Sequence, residues 1–359
     1  MDSWIPLDTR KEQILKAVVA DYTATGVPVG SHALALHLAS WSAATIRNEL
    51  ATLVEVGYLL QPHTSAGRVP SDRGYRYYVD FLMEEEGLPG GVRRQLEPRL
   101  AVMPSDIEGV LDLAAQVLAI AVDALSIVTG PRARSVAVKH LDLVSLDPAH
   151  ALLILVLDGN VIRQHPMSLS READQEELSR LAGRLNAEIV GLDGDQIEGG
   201  RGGDPDHPLR AEVIADIAAF LRSVESRQDT LIVHDGVRNL LHQPEFGDVQ
   251  RLAQVLELVE EERVLGELLA AAFEAASTGT GTVAAKPPVE RPVTVVIGTE
   301  SGIAQLTGCS LVLTTYRAGE GRGGTVGVLG PTRMPYSQVG PRVRFVADRV
   351  GEALARVLS

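Results

Sequence analysis

The polar side chains between Ser42 and Arg76 are of the types that proteins use to contact DNA. Serine and threonine near the start of a helix can donate to a phosphate beside the free backbone N–H groups. Arginine can form two hydrogen bonds with guanine, and asparagine can do the same with adenine. One short segment carries all four types, and we predict that these residues contact DNA: Ser42, Thr45, Arg47 and Asn48. The alternative is that Ser42 only caps a helix and that Arg47 pairs with Glu55 or Asp72.

A second group of candidates follows in a turn-rich segment between two short apolar runs. This pattern predicts a β-hairpin, whose tip can reach a phosphate or the minor groove. Glycine permits a turn close to the DNA backbone, and the predicted tip residues are His63, Thr64, Ser65, Gly67 and Arg68. For His63 alone, a structural hydrogen bond is the alternative. Arg73 and Arg76 on the next helix are predicted phosphate contacts, with a solvated helix face as their alternative.

Three predicted helices position these residues. The first ends near Gly26, the second begins at Ser31, and the third begins at Ser42. Apolar residues recur in the third at spacings of four, seven and eight, which predicts one buried face: Ile46, Leu50, Leu53 and Val54. The order of helix, helix, short turn and helix is typical of a helix-turn-helix, and the hairpin would form its wing.

The charge of the chain is unevenly distributed. The 359-residue protein has a formal net charge of −14. Residues 1–80 hold seven basic and eight acidic residues, a net charge of −1, which leaves −13 for the remainder. Phosphate neutralisation is local, so a nearly neutral domain can bind DNA when its cations share one face. We therefore expect weak binding by each copy and a benefit from dimerisation.

Composition disfavours several other classes of protein. The hydrophobic fraction of 45% is typical of a globular chain, and 359 residues exceed what one core usually serves. The longest apolar run falls far short of the ~20 residues of a membrane helix. Charged residues among the first 30 leave no apolar centre for a signal peptide. Cys309 is the single cysteine, which suits a reducing cytoplasm.

No motif indicates catalysis, a metal or a cofactor. Gly319, Gly321 and Gly324 have the spacing of a dinucleotide-binding loop, but they lead into a strand-like run, so a hairpin loop is favoured. His234 and Asp235 are adjacent, yet no candidate nucleophile accompanies them, and a strand end accounts for both. One cysteine cannot build a thiolate metal site. We expect a protein without enzymatic activity and without a cofactor.

Beyond a boundary at residues 84–91, strand-rich and helix-rich segments alternate. A helix that starts at Ser105 carries an apolar stripe as far as Leu125, and three strand-like runs follow up to Leu169. A mainly helical region comes next, and further strands and a closing helix complete the chain. Strands on both sides of a helical block suggest one sheet domain with another domain inserted into it.

Several long segments resemble the heat-inducible transcription repressors of the HrcA family. They are PVGSHALA, SAATIRNEL, PHTSAGRVPSDRGYRYYVDFL, VHDGVRNLLHQPEF and VGVLGPTRMPYSQV. The segments occur in the family's order and span nearly the whole chain, with shorter matches at 297–300 and 309–312. Ala43 is a departure, because the family usually carries a second serine there.

The resemblance implies an α+β multidomain protein with three parts. A winged helix-turn-helix DNA-binding domain would occupy 1–86, a discontinuous GAF-like α/β domain 100–170 and 288–359, and an inserted, mainly helical dimerisation domain 171–280. It also implies a cytoplasmic homodimer that represses chaperone operons by binding an inverted-repeat operator in double-stranded DNA. The chaperonin keeps such repressors active, and heat stress lowers their activity.

Two alternatives remain open at this point. The GAF-like domain could sense a small ligand, which predicts a ligand-dependent rise in melting temperature. The winged helix could instead be a protein-interaction module in an acidic assembly. That reading predicts that DNA affinity lacks the steep salt dependence that phosphate contacts impose.

Overall fold

The computed structural model describes residues 6–63, 67–84, 87–133, 137–157, 161–200, 208–226, 231–261, 265–266, 269, 293–319 and 322–359. Helices and sheets are mixed, so the chain belongs to the α+β class. It divides into two compact units, residues 1–131 with 230–359 and residues 132–229. Among the described residues, no helix combines the length and the apolar character that crossing a membrane requires.

The first unit begins with the head, residues 6–84, in which three helices precede a two-stranded antiparallel ribbon. Its elements are α1 (Thr9–Thr25), α2 (Ser31–His37), α3 (Ala43–Glu55), β1 (Leu59–Leu60), β2 (Val69–Pro70) and α4 (Asp72–Tyr77), with a π-helical turn over Tyr78–Leu82. The predicted order of helices and hairpin is confirmed.

Local capping sets the ends of these helices. Asp8 begins α1 by accepting a hydrogen bond from the Lys11 N–H at 2.9 Å, and Gly26 ends it with a left-handed φ of 67°. Ser71 begins α4 by accepting from the Gly74 N–H at 3.0 Å. The predicted end of the first helix at Gly26 is therefore confirmed.

Along the chain, the head is followed by α5 (Gly90–Leu100), α6 (Ile107–Val122) and β3 (Leu125–Thr129), which precede the second unit. The sequence predicts a helical stripe as far as Leu125, but α6 ends at Val122 and Asp123 adopts a left-handed φ of 52°. Every residue of β3 is buried. A short apolar run of this kind fits a strand that is covered on both faces, and its apolar periodicity does not separate it from the preceding helix.

The second unit has a sheet and a hydrophobic core of its own. Its elements are β4 (Arg132–Ala133), β5 (Val138–Asp147), β6 (His150–Leu157), β7 (Val161–Ser168), α7 (Gln175–Ile189), α8 (Gly194–Gly200) and α9 (Pro208–Ser226). Strands β5, β6 and β7 form an antiparallel meander in that order. Alternate residues of β6 are buried, in one apolar cluster with α7 and α9.

The chain then returns to the first unit. The elements there are β8 (Ile232–Asp235), α10 (Val237–Leu241), α11 (Val249–Glu260), β9 (Thr294–Ile297), β10 (Cys309–Arg317), β11 (Arg322–Pro331) and α12 (Tyr336–Val357). The central sheet has six strands: β8, β3, β11, β10 and β9 lie in that order with antiparallel neighbours, and β4 also pairs with β11. Val312 and Val328 belong to the core with α6 and α12, whereas Leu311 and Leu329 belong to the core with α11.

The strands do not pair in the way that the predicted domain boundaries imply. Residues 100–170 were expected to share a sheet domain with 288–359, yet among the described residues β5, β6 and β7 pair with one another. Strand β8 lies in the range 171–280 that was assigned to the insertion, but it pairs with β3 of the central sheet. The physical reason is that the meander closes its single apolar face with its own helices. The insertion is therefore 132–229.

The head and the central sheet share one continuous hydrophobic core. It includes Ile14 and Leu50 of the head together with Val343 and Val346 of α12, all at most 3% exposed. Residues 1–86 are thus not packed as a separate body, which differs from the predicted boundary near residue 86. The polar, glycine-containing segment after residue 83 connects elements that pack together, and composition alone does not reveal that packing.

Candidate nucleic-acid interface

The N-terminal end of α3 is organised by a serine and a threonine. The Ser42 hydroxyl accepts a hydrogen bond from the Thr45 N–H at 3.1 Å, and the two hydroxyl oxygens are 2.9 Å apart. Below them, Ile46, Leu50 and Leu53 are between 0% and 3% exposed, which fixes the rotation of the helix. Ser42 therefore caps α3, which was the alternative to a contact with DNA. Its side chain is nevertheless exposed at the helix N-terminus.

The opposite side of α3 is open and carries Arg47 and Asn48. Both are exposed, and small residues flank them at Ala44 and Ala51, which are also exposed. Within the described part of the chain, Arg47 forms no ion pair, so the alternative pairing with Glu55 or Asp72 is not formed. The small neighbours leave open space around the side chains of Arg47 and Asn48.

One acidic side chain beside this face, Glu49, is paired within the head. Glu49 lies next to Asn48 in sequence and binds Arg10 at 3.2 Å and Lys11 at 3.3 Å. Arg10 also lies 5.8 Å from the ring centroid of Trp41, just before α3. The carboxylate most able to repel a phosphate near the middle of α3 is therefore already paired.

The two-stranded ribbon packs against the start of the second helix. Leu59 pairs with Pro70 and Leu60 with Val69, and Arg68 exchanges two backbone hydrogen bonds of 2.8 Å with Val29. His63 is exposed at the end of the described ribbon, whereas Thr64 and Ser65 lie outside the described residues. The ribbon is thus attached to the helices of the head through Val29.

Gly67 has a role inside the protein. A Cβ added there would lie 2.5 Å from the Val29 carbonyl oxygen and 2.6 Å from the carbonyl group of Pro28. Real Cβ atoms do not approach backbone atoms this closely. Glycine is needed because the ribbon crosses the segment before α2, and the expected close approach to DNA is not what requires it.

Arg68 and Arg73 lie at the side of the ribbon and are partly buried. The Arg73 guanidinium stands 5.1 Å from the ring centroid of Tyr58, a cation–π distance that orients its planar group. Arg68 is held through its backbone by Val29. His63, Arg68 and Arg73 follow α3 in the sequence and lie in or beside the ribbon.

Arg76 is buried, contrary to the predicted phosphate contact. It is 5% exposed. Its Nε and Nη2 atoms each donate to one oxygen of Glu300 at 2.9 Å, and Nη1 donates to Asp80 at 3.0 Å. Nη2 also donates to the Val295 carbonyl. The guanidinium has its partners inside the protein, so Arg76 is removed from the candidate interface.

Burial and pairing act in opposite directions at this ion cluster. Burial disfavours the charged form of Arg76, but hydrogen bonds and attraction from Glu300 and Asp80 outweigh it and raise its pKa. At Asp80 burial is the larger effect, and it raises the pKa despite the neighbouring Arg76. Glu300 is thus the partner that compensates Arg76 most fully.

The sequence reasoning missed Asp72 and Glu300 as residues that tie the head to the central sheet. Asp72 accepts hydrogen bonds from the Thr299 N–H and hydroxyl, both at 3.0 Å. A signal was present, because residues 297–300 are one of the short matches to the family and had no assigned role. Nothing in the sequence indicated that Asp72 contacts residues 297–300.

The remaining motifs of the sequence lie in strands and in the connections between them. Gly319 and Gly324 belong to the antiparallel hairpin of β10 and β11, as predicted, and Gly321 lies outside the described residues. His234 and Asp235 end β8, where they pair with Ile127 and Ser126 of β3. No group of three or more possible metal ligands was found among the described residues.

Comparison with known proteins identifies the relatives of this chain. Residues 108–339 match the family model "HrcA protein C terminal domain". The heat-inducible transcription repressor HrcA of Pelotomaculum thermopropionicum is 36% identical, with 98% of each chain covered. The repressor of the same name from Cyanothece sp. is 37% identical over 98% of this chain and 99% of its own. The relative from Thermomicrobium roseum is 36% identical over 98% and 97%.

One solved structure supports the fold over the whole length. The crystal structure of a hypothetical protein at 2.2 Å resolution covers 98% of this chain and 100% of its own, with a TM-score of 0.55 and 22% identity. The relatives are named as transcription repressors, which is a regulatory and non-enzymatic role. On the family match and the near-complete coverage by these relatives, the chain belongs to the heat-inducible transcription repressor HrcA family.

Proposed function

We propose that the protein is a transcription repressor whose head is a winged helix-turn-helix. Helix α3 would enter the major groove and the ribbon would be the wing. The observation that carries the proposal is the open face of α3, where exposed Arg47 and Asn48 lie between small side chains and Arg47 has no ion pair in the described part of the chain. Ser42 and Thr45 would bind phosphate at the helix start, where backbone N–H groups also point outward.

The wing would add contacts beside the groove. We propose that His63, Thr64, Ser65, Arg68 and Arg73 take part, with Arg68 and Arg73 at phosphates. Contacts to phosphate fix the position of the head on the duplex, whereas base contacts give sequence specificity. On this assignment, Arg47 and Asn48 are the specificity residues.

We further propose that the repressor acts as a cytoplasmic homodimer on an inverted-repeat operator. The nearly neutral charge of residues 1–80 limits the affinity of one head, and a two-fold dimer can place two heads on two half-sites. The inserted unit is our candidate for the dimer contact. Its strand β7 is paired on one side, and Val161 and Ile162 on it are 38% and 60% exposed. The central sheet would be the GAF-like domain.

The names of the relatives support a proposal of heat regulation, which we extend to chaperone operons. They are named heat-inducible, and we propose that heat stress lowers the activity of this repressor while the chaperonin maintains it. In a marginally stable protein, a change of about 1–2 kcal/mol alters the folded fraction several-fold. A repressor near that margin would respond to small changes in temperature or chaperonin supply.

An operator-shift assay tests the proposed reading helix. DNA upstream of this gene is compared with a scrambled duplex, using the wild type, Arg47→Ala and Asn48→Ala. Each variant should lose about 1–3 kcal/mol of specific affinity, the usual value of a two-bond contact to a base. Arg184→Ala is the matched control, because Arg184 is an exposed arginine on α7 in the inserted unit. Unchanged binding by both head variants contradicts the assignment of α3.

The salt dependence of the same binding separates DNA recognition from a protein-interaction role. Each phosphate contact should contribute about −0.9 to the slope of log affinity against log salt concentration. Arg68→Ala or Arg73→Ala should reduce that slope by about one contact each. A flat dependence in the wild type would favour the protein-interaction alternative.

A cleft in the first unit favours ligand sensing as a second candidate function. Its volume is about 480 Å³, and residues from α1, from the corner after α6 and from 331–338 line it. Thr23, Asp123 and Arg333 give it polar walls, and Ala20 and Met334 give it apolar ones. Small-molecule sites have this size and this mixture. A compound that raises the melting temperature of the wild type and not of an Ala20→Phe variant would support this function.

A further inference from the structure

The head is joined to the central sheet by a polar contact that is buried at its centre. The contact lies between α4 and the 3₁₀ turn Gly298–Ser301, which follows β9. Arg76 binds Glu300 through two parallel hydrogen bonds of 2.9 Å, and Asp72 accepts two hydrogen bonds of 3.0 Å from Thr299. We call Asp72, Arg76, Thr299 and Glu300 the joint.

The joint is specific in its geometry. Two parallel hydrogen bonds hold a guanidinium in one orientation, which a single bond does not do. Glu300 is itself oriented, because one of its oxygens accepts from the Ile297 N–H at 2.8 Å. Gly298 has a φ of 51°, and a Cβ there would lie 2.2 Å from the Asp72 carboxylate. The turn can therefore receive Asp72 only because residue 298 is glycine.

Two further contacts hold the head on the same sheet. The rings of Tyr75 and Tyr336 meet edge to face with centroids 6.0 Å apart. Arg333, which precedes α12, donates to the Thr23 carbonyl of α1 at 3.3 Å and pairs with Glu245. The ring contact thus holds α4, and the hydrogen bond from Arg333 holds α1.

The joint leaves the candidate reading face uncovered. It uses α4, whereas Arg47 and Asn48 of α3 remain exposed. A contact that blocked DNA binding would cover α3, and this one does not. In the proposed repressor, the joint would therefore act on the orientation of α3 relative to the central sheet.

We propose that Asp72, Arg76 and Glu300 are positioning residues for operator recognition. In a dimer, the distance between two half-sites that can be bound together is set by the distance between the two α3 helices. The joint would hold that distance constant by fixing each head to its own central sheet. This inference rests on the proposed dimeric repressor, and it adds that the choice of half-site spacing depends on these three residues, which contact no DNA.

The test uses two conservative variants, Glu300→Gln and Arg76→Lys, in the full chain. Glutamine keeps the shape of Glu300 and removes its charge, and lysine keeps the charge of Arg76 and removes the paired hydrogen bonds. Glu352→Gln is the matched control, because Glu352 pairs with Arg349 on an exposed part of α12 with 61% of its side chain exposed. Circular dichroism establishes that each variant is folded before binding is measured.

Three duplexes are compared: the operator selected by the wild type from random DNA, the same operator with its centre lengthened by half a helical turn, and a single half-site. Binding to two half-sites at once raises the affinity about a hundredfold or more over one half-site. We expect this increase to be about tenfold smaller in the joint variants. They should bind the single half-site within about twofold of the wild type, and they should discriminate less between the two spacings. The control should match the wild type on all three duplexes.

Two results would overturn the proposal. One is equal loss on all three duplexes, which would show damage to the head itself. The other is unchanged discrimination between the two spacings. Amide hydrogen exchange of residues 72–82 in the free protein provides a readout that needs no DNA, and exchange should become faster in both variants. If the wild type does not prefer any duplex, the proposed function fails and the inference fails with it, while faster exchange would still show that the joint holds the head.

Discussion

Replacing Gly74 by alanine should destabilise the head, although the same change stabilises most helices. Gly74 lies in α4, and a Cβ added there would be 2.0 Å from the carbonyl oxygen of Tyr58 and 3.1 Å from its carbonyl carbon. Both are backbone atoms and cannot rotate away. Gly183 in α7 is the matched control, because a Cβ there meets nothing within 4 Å.

The magnitude follows from two opposing effects. Alanine in place of glycine favours a helix by about 0.5–1 kcal/mol. At Gly74 the methyl group must be moved to ordinary contact of about 3.5 Å, a shift of about 1.5 Å for α4. Overpacking of this kind costs about 1–3 kcal/mol, and the shift also disturbs the 3.1 Å hydrogen bond from the Ser71 N–H to the Tyr58 carbonyl. We expect Gly74→Ala to lose about 1–2 kcal/mol and Gly183→Ala to gain about 0.5–1 kcal/mol.

Urea unfolding with two probes measures both changes. Both tryptophans, Trp4 and Trp41, lie in the first 41 residues, so their fluorescence reports on the N-terminal part of the chain. Far-ultraviolet circular dichroism reports on the helices of both units. Gly74→Ala should lower the midpoint of the fluorescence transition, and Gly183→Ala should leave that midpoint unchanged while it raises the midpoint seen by circular dichroism.

The reasoning is refuted if Gly74→Ala raises the fluorescence midpoint. That result would mean that α4 does not pack against the backbone of Tyr58 and that the joint is displaced as well. A loss of stability in Gly183→Ala would instead contradict the gain expected from helix propensity, and it would say nothing about the packing of α4.

Three further changes test other parts of the structure. Ser42→Ala removes the cap of α3 and should cost about 1 kcal/mol in urea unfolding followed by tryptophan fluorescence, whereas Ser42→Asp should retain most of that stability; equal loss in both would contradict the capping role. Gly67→Ala should displace the ribbon from Val29 and weaken DNA binding while the helical circular dichroism persists, and wild-type affinity would contradict the close contact. Burial raises the pKa of the Cys309 thiol from 9.0 to about 11. The folded state therefore favours the neutral thiol, and the stability that this preference contributes is present below pH 9 and is lost as pH rises to about 11. At pH 8 a thiol reagent should label Cys309 no faster than the protein unfolds, and rapid labelling of the folded protein would contradict its burial.

The local features of the head could be predicted from the sequence because their causes lie within a few residues. The cap at Ser42 and the predicted stripe depend on partners three to eight positions away. The structure confirms the cap and the burial of Ile46, Leu50 and Leu53, and it leaves Val54 half-buried. The same holds for the end of α1 at Gly26, where a left-handed φ is needed. Glycine adopts a left-handed φ without steric cost, whatever the fold of the rest of the chain.

Long-range partners decided the features that the sequence left open. Arg73 and Arg76 are three residues apart on one helix and have the same predicted role, but Arg76 binds Glu300, which is 224 residues away. Strand β3 looks like the end of α6 by periodicity, and it became a strand because β8 and β11 pair with it. Gly67 is required by Pro28 and Val29, which the ribbon crosses.

The sequence by itself determined the family, the order of helices and hairpin in the head, and the residues offered by α3. Only the tertiary structure decided which arginines remain available for DNA, where the inserted unit begins and ends, and how the head is attached to the central sheet. The physical reason is that hydrogen-bonded turns and apolar periodicity are local properties of a chain. Whether a charge stays in water or is buried against a partner depends on residues that meet only when the chain folds.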